Sequence, residues 1–282
     1  MNVAILNKRF DDEICNITDD VIREVLKCGC NIAMPSESSR YFLDDRITFV
    51  ENSDDLLQKS DIIFVVGGDG TLIHYAKKAA IFDKKVFGIN GGNLGFLCGC
   101  EKNEMSKISC VLNGNYKVID AMMLEVSVNG EVFTALNDVV FNRDINSPIL
   151  KYDVIRNGKI FCSHETDGLI FATPIGSTAY SFSVGGAIVE SDVKCVVMTP
   201  ICPHSFFSRS VILGADEEII VNVQTVSNKN CEFYISVDGV PCKLDPSKSN
   251  NIKIRKSKHS AKIIRLTGQN FYSNIEKKLA HK

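Results

Sequence analysis

The sequence predicts an α/β domain over residues 1–115, built on a parallel sheet, followed by an all-β, sandwich-like domain over residues 116–261. Three observations carry this. Strand and helix signals alternate through the first third of the chain, the order that builds a parallel sheet with helices on its faces. The run Ile62-Ile63-Phe64-Val65-Val66 is continuously apolar and stops at Gly67-Gly68, as in a strand buried on both faces. From about Lys117 the pattern changes to short alternating runs divided by turns, the grammar of antiparallel sheets. Residues 262–282 are expected to pack back on the first domain.

Val3 to Leu6 reads as the first strand. Asp11 to Lys27 reads as an amphipathic helix, because Ile14, Ile17, Val21, Ile22, Val25 and Leu26 recur at helical spacing. Asn31 to Met34 is the next strand, followed by Asp61 to Val66, a helix over Thr71 to Ala80 and a buried strand over Val86 to Ile89. In the second domain Leu124 to Val128 and Glu131 to Thr134 flank Asn129-Gly130, the signature of a tight hairpin. Further strands are predicted at Ala135 to Phe141, Tyr152 to Ile155, Ile160 to Cys162, Leu169 to Ala172, Lys194 to Met198, Ile219 to Val223, Phe233 to Val237, Ile252 to Arg255 and Lys262 to Leu266. A helix is expected over Ser177 to Val184, stopped by Gly185-Gly186. The tail from Phe271 to Lys282 reads as a short surface helix.

Composition narrows the function. A hydrophobic share of 45% and a charged share of 23% exclude disordered and low-complexity classes. With 32 Lys and Arg against 34 Asp and Glu, the net charge of −2 provides no global positive field for nucleic acid or an anionic membrane. No apolar run approaches the ~18–20 residues that span a bilayer. The 11 cysteines are odd in number and follow no secretory leader, and the pairs Cys28/Cys30 and Cys98/Cys100 have a spacing that suits a zinc site badly. They read as reduced, mostly buried thiols in a soluble cytoplasmic protein.

The strongest local feature is Gly67-Gly68-Asp69-Gly70-Thr71-Leu72, between a buried strand and a helix. Glycines there let backbone approach a phosphate, and the helix start offers unpaired N–H groups. The loop is neither Gly-x-x-x-x-Gly-Lys-Ser/Thr nor Gly-x-Gly-x-x-Gly. A carboxylate beside phosphate oxygens repels them, so Asp69 calls for a role such as general base or indirect metal partner; the alternative is a tight turn in which Asp69 caps the helix. A second glycine cluster, Gly88 to Phe96, follows the next strand, and two glycine-rich strand ends in one sheet point to a cleft. Asn137-Asp138 interrupts an apolar strand, which calls for a ligand, a bulge or an edge to satisfy it. Asp167 to Tyr180 runs from a strand into a polar turn where Ser177 and Thr178 could cap a helix.

Together, Gly67 to Leu72, Gly91-Gly92-Asn93-Leu94-Gly95-Phe96, Asn137-Asp138 and Asp167 to Tyr180 closely resemble the NAD kinase family, in the family's order and spacing. The resemblance runs from about Val3 through Thr199-Pro200-Ile201-Cys202-Pro203-His204 to Ser236-Val237-Asp238-Gly239. Diacylglycerol-type lipid kinases and phosphofructokinases carry related Gly-Gly-Asp-Gly-Thr loops; the other three motifs discriminate.

The resemblance implies the NAD kinase fold: a Rossmann-like N-terminal domain and a β-sandwich C-terminal domain with substrate held between them, in homodimers or homotetramers. It implies phosphorylation of the 2′-hydroxyl of the adenosine ribose of NAD to give NADP, with ATP as the usual donor and a divalent cation, generally Mg²⁺. By position, Asp69 matches the catalytic base, and Gly67, Gly68, Gly70 and Thr71 match the ATP-phosphate loop. Asp69, Gly70, Phe96, Asn137, Asp138, Asp167, Thr178, Ala179, Tyr180 and Ser183 match the NAD pocket. The sequence departs from the family at Ile175, where Thr is usual, and at Cys202, where Ala is common; His164-Glu165 has no assigned counterpart. Two other classes stay open at this level: a lipid or sugar kinase of the same superfamily, and a non-catalytic dinucleotide sensor. The donor could be ATP, another nucleoside triphosphate or polyphosphate.

Overall fold

The computed structural model describes residues 1–92, 95–205, 208–225, 232–242, 251–267 and 275. The chain divides into two compact units, Met1–Asp120 with the residues from Ser260 onward, and Ala121–His259.

The first unit is a parallel sheet with helices. Its strands are β1 (Asn2–Asn7), β2 (Asn31–Pro35), β3 (Ile47–Val50), β4 (Ile62–Val66), β5 (Lys85–Asn90) and the short β6 (Cys100–Glu101), with helices α1 (Asp12–Lys27), α2 (Ser53–Lys59), α3 (Asp69–Ile81) and α4 (Lys107–Leu112). The strand order is β5-β4-β1-β2-β3. Asp11 starts α1 by accepting the Ile14 N–H at 3.1 Å, and Gly29 at φ +71° follows its end. Ile14, Ile17, Val21, Ile22 and Val25 bury one face of α1 in a core that also holds Phe64 of β4 and Phe87 of β5, whose rings lie 5.6 Å apart. Truncating such a fully buried Phe costs about 3–5 kcal/mol. The far edge of β5 has two partners: β6 along Ile89 and Asn90, and Lys262 and Ile263 along Lys85 and Val86. Ile264 and Leu266 join the same core.

The second unit is a sandwich. One antiparallel sheet has the order β14-β13-β12-β9-β16-β17, from Val211–Gly214 (β14), Cys195–Ile201 (β13), Gly168–Ala172 (β12), Asp138–Arg143 (β9), Phe233–Val237 (β16) and Val240–Cys242 (β17). Facing it, Lys159–Thr166 (β11), Leu150–Arg156 (β10), Ile219–Thr225 (β15) and the start of Asn251–Leu266 (β18) pair in that order, and Tyr116–Val128 (β7) pairs with β18 and with Glu131–Ala135 (β8). Phe141, Phe171 and Tyr152 meet edge-on in the core between the layers, at centroid distances of 5.9 and 6.3 Å.

Several expectations change. The helix predicted from Thr71 begins at Asp69, so Gly68 caps it and Asp69 is its first residue. Ile252 to Arg255 and Lys262 to Leu266 form one strand, because Ser257 in the polar stretch between them is buried and donates a hydrogen bond to Glu125 Oε1 at 3.1 Å. The strand expected over Ala135 to Phe141 breaks at Leu136 and Asn137, with β8 ending before the break and β9 starting after it. The helix expected over Ser177 to Val184 is a 3₁₀ turn, Ile175–Thr178, then a single helical turn, α5 (Tyr180–Ser183), broken where Ala179 adopts φ −96°, ψ −129°. Ser177 and Thr178 do not cap a helix; their hydroxyls donate to the carbonyls of Pro174 and Ile175 at 2.6 and 3.2 Å. The tail helix over Phe271 to Lys282 lies outside the described residues apart from Ile275.

Candidate active site

In the first unit the site grows from the end of β4. Gly67 has φ +152°, a conformation that side chains rarely adopt, and a Cβ there would lie 2.9 Å from Thr71 Cβ. Gly67 N–H donates to Ile89 O at 3.0 Å, and Gly91 N–H donates to Gly67 O at 3.4 Å, so the two glycine-rich strand ends are joined by backbone. Gly68 O accepts the N–H groups of Thr71 and Leu72 at 3.0 and 3.1 Å, which closes the first turn of α3. A Cβ at Gly68 or Gly70 would meet nothing within 4 Å, so both positions face open space. Thr71, by contrast, turns its side chain onto Gly67.

Asp69 is clamped by the second loop. Phe96 N–H donates to its Oδ2 at 2.5 Å and Leu97 N–H to its Oδ1 at 3.0 Å. Gly95 lies so close that a Cβ would collide with Asp69 Oδ1. Arg265 Nη2 donates to Phe96 O at 3.0 Å and holds the loop from the other side. An ionised carboxylate has about four acceptor sites, so two N–H groups orient Asp69 and leave it able to accept a further proton or hydrogen bond. Sequence reading placed Phe96 against a ligand and missed what Gly95 and the N–H groups of Phe96 and Leu97 do; the glycine spacing alone carried that signal. Asn93 and Leu94 of the same motif lie outside the described residues.

In the second unit Asn137 and Asp138 form the turn into β9. Asp238, at φ +49° in the turn between β16 and β17, accepts three backbone N–H groups there: Leu136 at 3.0 Å, Asn137 at 2.7 Å and Asp138 at 3.2 Å. Asp238 N–H donates back to Asp138 O at 3.0 Å. Asn137 O accepts Thr173 N–H at 2.8 Å and packs on Gly176, where no side chain would fit. The Asp138 carboxyl, 5% exposed, is pushed up to about 7, first by burial and then by the negative charge of Asp238.

The structure brings Asn137, Asp138 and the 173–183 turn side by side. Tyr180 and Ser183 are exposed and Thr178 and Ala179 half-buried. Burial, then the charges of Tyr234, Cys202 and Asp138, raise the Tyr180 phenol. Behind them Ser181 shares a buried hydroxyl chain with Thr199 and Ser210, each step 2.9 Å, and Ser177 Oγ accepts Val189 N–H at 3.0 Å. Asp167 is not part of this group. It sits at the opposite end of β9, five residues or roughly 16 Å along the strand, where Arg143 Nε donates to Oδ1 at 2.7 Å and Arg143 Nη1 donates to Ser147 O at 2.8 Å.

Comparisons with known proteins agree with one another. A family model described as the ATP-NAD kinase N-terminal domain matches residues 3–116, and one described as the ATP-NAD kinase C-terminal domain matches residues 136–266. The NAD kinase of Thermoanaerobacter sp. (strain X514) is 35% identical over 283 residues, covering 95% of this chain and 98% of that protein. The NAD kinase of Acetivibrio thermocellus is 32% identical over 285 residues, covering 99% and 97%. Among solved structures, the yeast NADH kinase complexed with NADH superposes with a TM-score of 0.85 at 25% identity, over 99% of this chain and 87% of that one. An NAD kinase from Archaeoglobus fulgidus in complex with ATP shares the fold, with a TM-score of 0.76 at 22% identity over the whole of both chains.

Proposed function

The chain belongs to the ATP-NAD kinase family, and on that premise we propose that it transfers the terminal phosphoryl group of ATP to the 2′-hydroxyl of the adenosine ribose of NAD, giving NADP and ADP. The clamp on Asp69 carries this reading. An acid at the mouth of a glycine loop is unfavourable beside phosphates unless it does chemistry, and here a second loop aims it. Asp69 accepts the hydroxyl proton, the freed oxygen attacks the terminal phosphorus in line, and the bond to the ADP oxygen breaks. The open backbone at Gly68 and Gly70 receives the donor phosphates at the start of α3, while Gly67 and Thr71, whose N–H groups are held by Ile89 O and Gly68 O, shape that loop.

Asn137 and Asp138 contact the adenosine part of NAD, Gly70 and Phe96 are assigned to the same moiety, Asp167 serves the nicotinamide end, and Thr178, Ala179, Tyr180 and Ser183 line the NAD pocket. The divalent cation, Mg²⁺ in this reading, arrives bound to ATP as part of that substrate and offsets the charge between Asp69 and the phosphates. Among the described residues no group of three His, Cys, Asp or Glu is placed to hold a metal. The protein works in the cytoplasm as a homodimer or homotetramer in this reading. Ten cysteines among the described residues are free thiols, the form a reducing compartment maintains.

The test incubates the purified full chain with Mg-ATP and NAD and couples the product to an NADP-specific dehydrogenase. NADP formation is expected. NAD binding without NADP would favour a sensor, and turnover only with a lipid or sugar acceptor would favour another kinase of the superfamily. Replacing ATP by GTP or polyphosphate in the same assay identifies the donor, and light scattering on the eluted peak gives the subunit count.

A further inference from the structure

We propose that Asp238 is a positioning residue for NAD recognition, its carboxylate gathering the backbone N–H groups that aim Asn137 and Asp138 at the adenosine. The inference rests on the reading of those two residues as NAD contacts and adds a residue that acts through their backbone. Leu136 and Asn137 lie in the gap between β8 and β9, where no strand partner among the described residues is in register to take their N–H groups. A carboxylate that accepts both of them, at 3.0 and 2.7 Å, and the N–H of Asp138 at the start of β9, at 3.2 Å, replaces the missing ladder. The return bond from Asp238 N–H to Asp138 O, 3.0 Å, locks the pair in both directions. Thr173 fixes the other side of the gap: its N–H donates to Asn137 O and its hydroxyl to Leu136 O. Two supports from residues 173 and 238 therefore hold a two-residue gap that the backbone could not hold by itself.

The same contact has a chemical effect. The negative charge of Asp238 adds to burial in keeping Asp138 protonated up to about pH 7. A neutral carboxyl both donates and accepts, so it can pair with the adjacent donor and acceptor on an adenine edge, whereas the ionised form accepts only. Tyr180 also acts electrostatically with Asp138, from the helical turn beside it. KM for NAD should therefore rise as pH climbs through about 7, while KM for ATP stays level.

The experiment measures kcat and KM for both substrates from pH 5.5 to 9 in the full chain and in Asp238→Asn, Asp238→Glu and Asp138→Asn. Losing hydrogen bonds to a charged acceptor corresponds to roughly a 10- to 100-fold change, and Asp238→Asn should raise KM for NAD by that factor with kcat held within about threefold. Its pH limb should move to lower pH but not vanish, because burial, the larger cause of the shift, persists. Asp238→Glu keeps the charge on a longer arm, so the limb should stay near 7 with a smaller rise in KM. A fall in kcat at constant KM, or an unmoved limb in Asp238→Asn, overturns the proposal. If Asp238→Asn does not fold, an unchanged KM for NAD in Asp238→Glu overturns it instead. Asp138→Asn separates the two claims: if it leaves KM for NAD and the limb unchanged, the reading of Asp138 as a contact fails first, and if it moves them while Asp238 variants do not, only the inference fails.

Discussion

The two units treat a carboxylate in opposite ways. Asp69 in the first unit receives two N–H groups from a neighbouring loop and keeps acceptor capacity beyond them. Asp238 in the second unit receives three N–H groups and spends its acceptors on the chain itself. Backbone amides thus orient an acid in one place, the acid proposed to react, and an acid organises backbone in the other. The difference teaches that the number and source of the donors, rather than the residue type, set how much acceptor capacity a carboxylate retains.

The sharpest way to break that contrast is Asp69→Asn. An amide cannot accept the hydroxyl proton, and loss of general-base catalysis is worth roughly 10²–10⁴-fold, so kcat should fall by that factor in the coupled assay while KM for NAD and the melting temperature stay close to those of the parent. Near-parental turnover would remove Asp69 from the reaction. Gly95→Ala tests the clamp without touching the acid: its methyl group would occupy the space of Asp69 Oδ1, and a misplacement of about 1 Å costs on the order of 10²-fold. Here kcat should drop with the fold intact by circular dichroism, and a silent substitution would mean that the second loop does not aim Asp69.

Smaller effects are expected in the second unit. Asn137→Ala and Tyr180→Phe remove polar groups proposed to hold substrate in ground and transition states alike, so KM for NAD should rise by roughly three- to tenfold at constant kcat. A kcat effect at fixed KM would move these residues from binding into the chemistry. Least of all, Asp138→Asn should alter stability with pH. Because the folded-state carboxyl titrates near 7 and the unfolded one near the ordinary 3.8, the folded state binds more protons between those values, and stability falls as pH rises through them. The variant lacks this penalty, so it should melt a few degrees above the parent at pH 8 relative to the difference at pH 5, on the scale of roughly 2–4 °C per kcal/mol. Equal differences at the two pH values would show that Asp138 is not held protonated.

Features that depend on neighbours in sequence were legible. The apolar run of β4, the glycines after it and the helical spacing of α1 all leave a pattern within a few residues, and the structure has strand, loop and helix there. Short elements were not: β3 and α2 bury only one and two side chains respectively, too few to set a period, although Asn52 ahead of Ser53-Asp54-Asp55 is a readable helix start. The expected helix over Ser177 to Val184 failed because Ser177 and Thr178 bond backwards to carbonyls, which favours turns over helix propagation. Asp238 was visible as a motif but not as a support, since its partners lie about a hundred residues away and no local pattern records them.

One edge of β5 is closed half by β6 and half by Lys262 and Ile263, residues made some 170 positions later than the strand they cover. On a ribosome moving at about 5–20 residues per second, that half of the edge waits on the order of 10–30 s for its partner. Meanwhile the nascent first unit carries an open, apolar strand border and lacks Ile264 and Leu266 from its core. Truncation before Ser260 would remove this late-arriving strand together with Ile264 and Leu266, and is expected to destabilise the first unit.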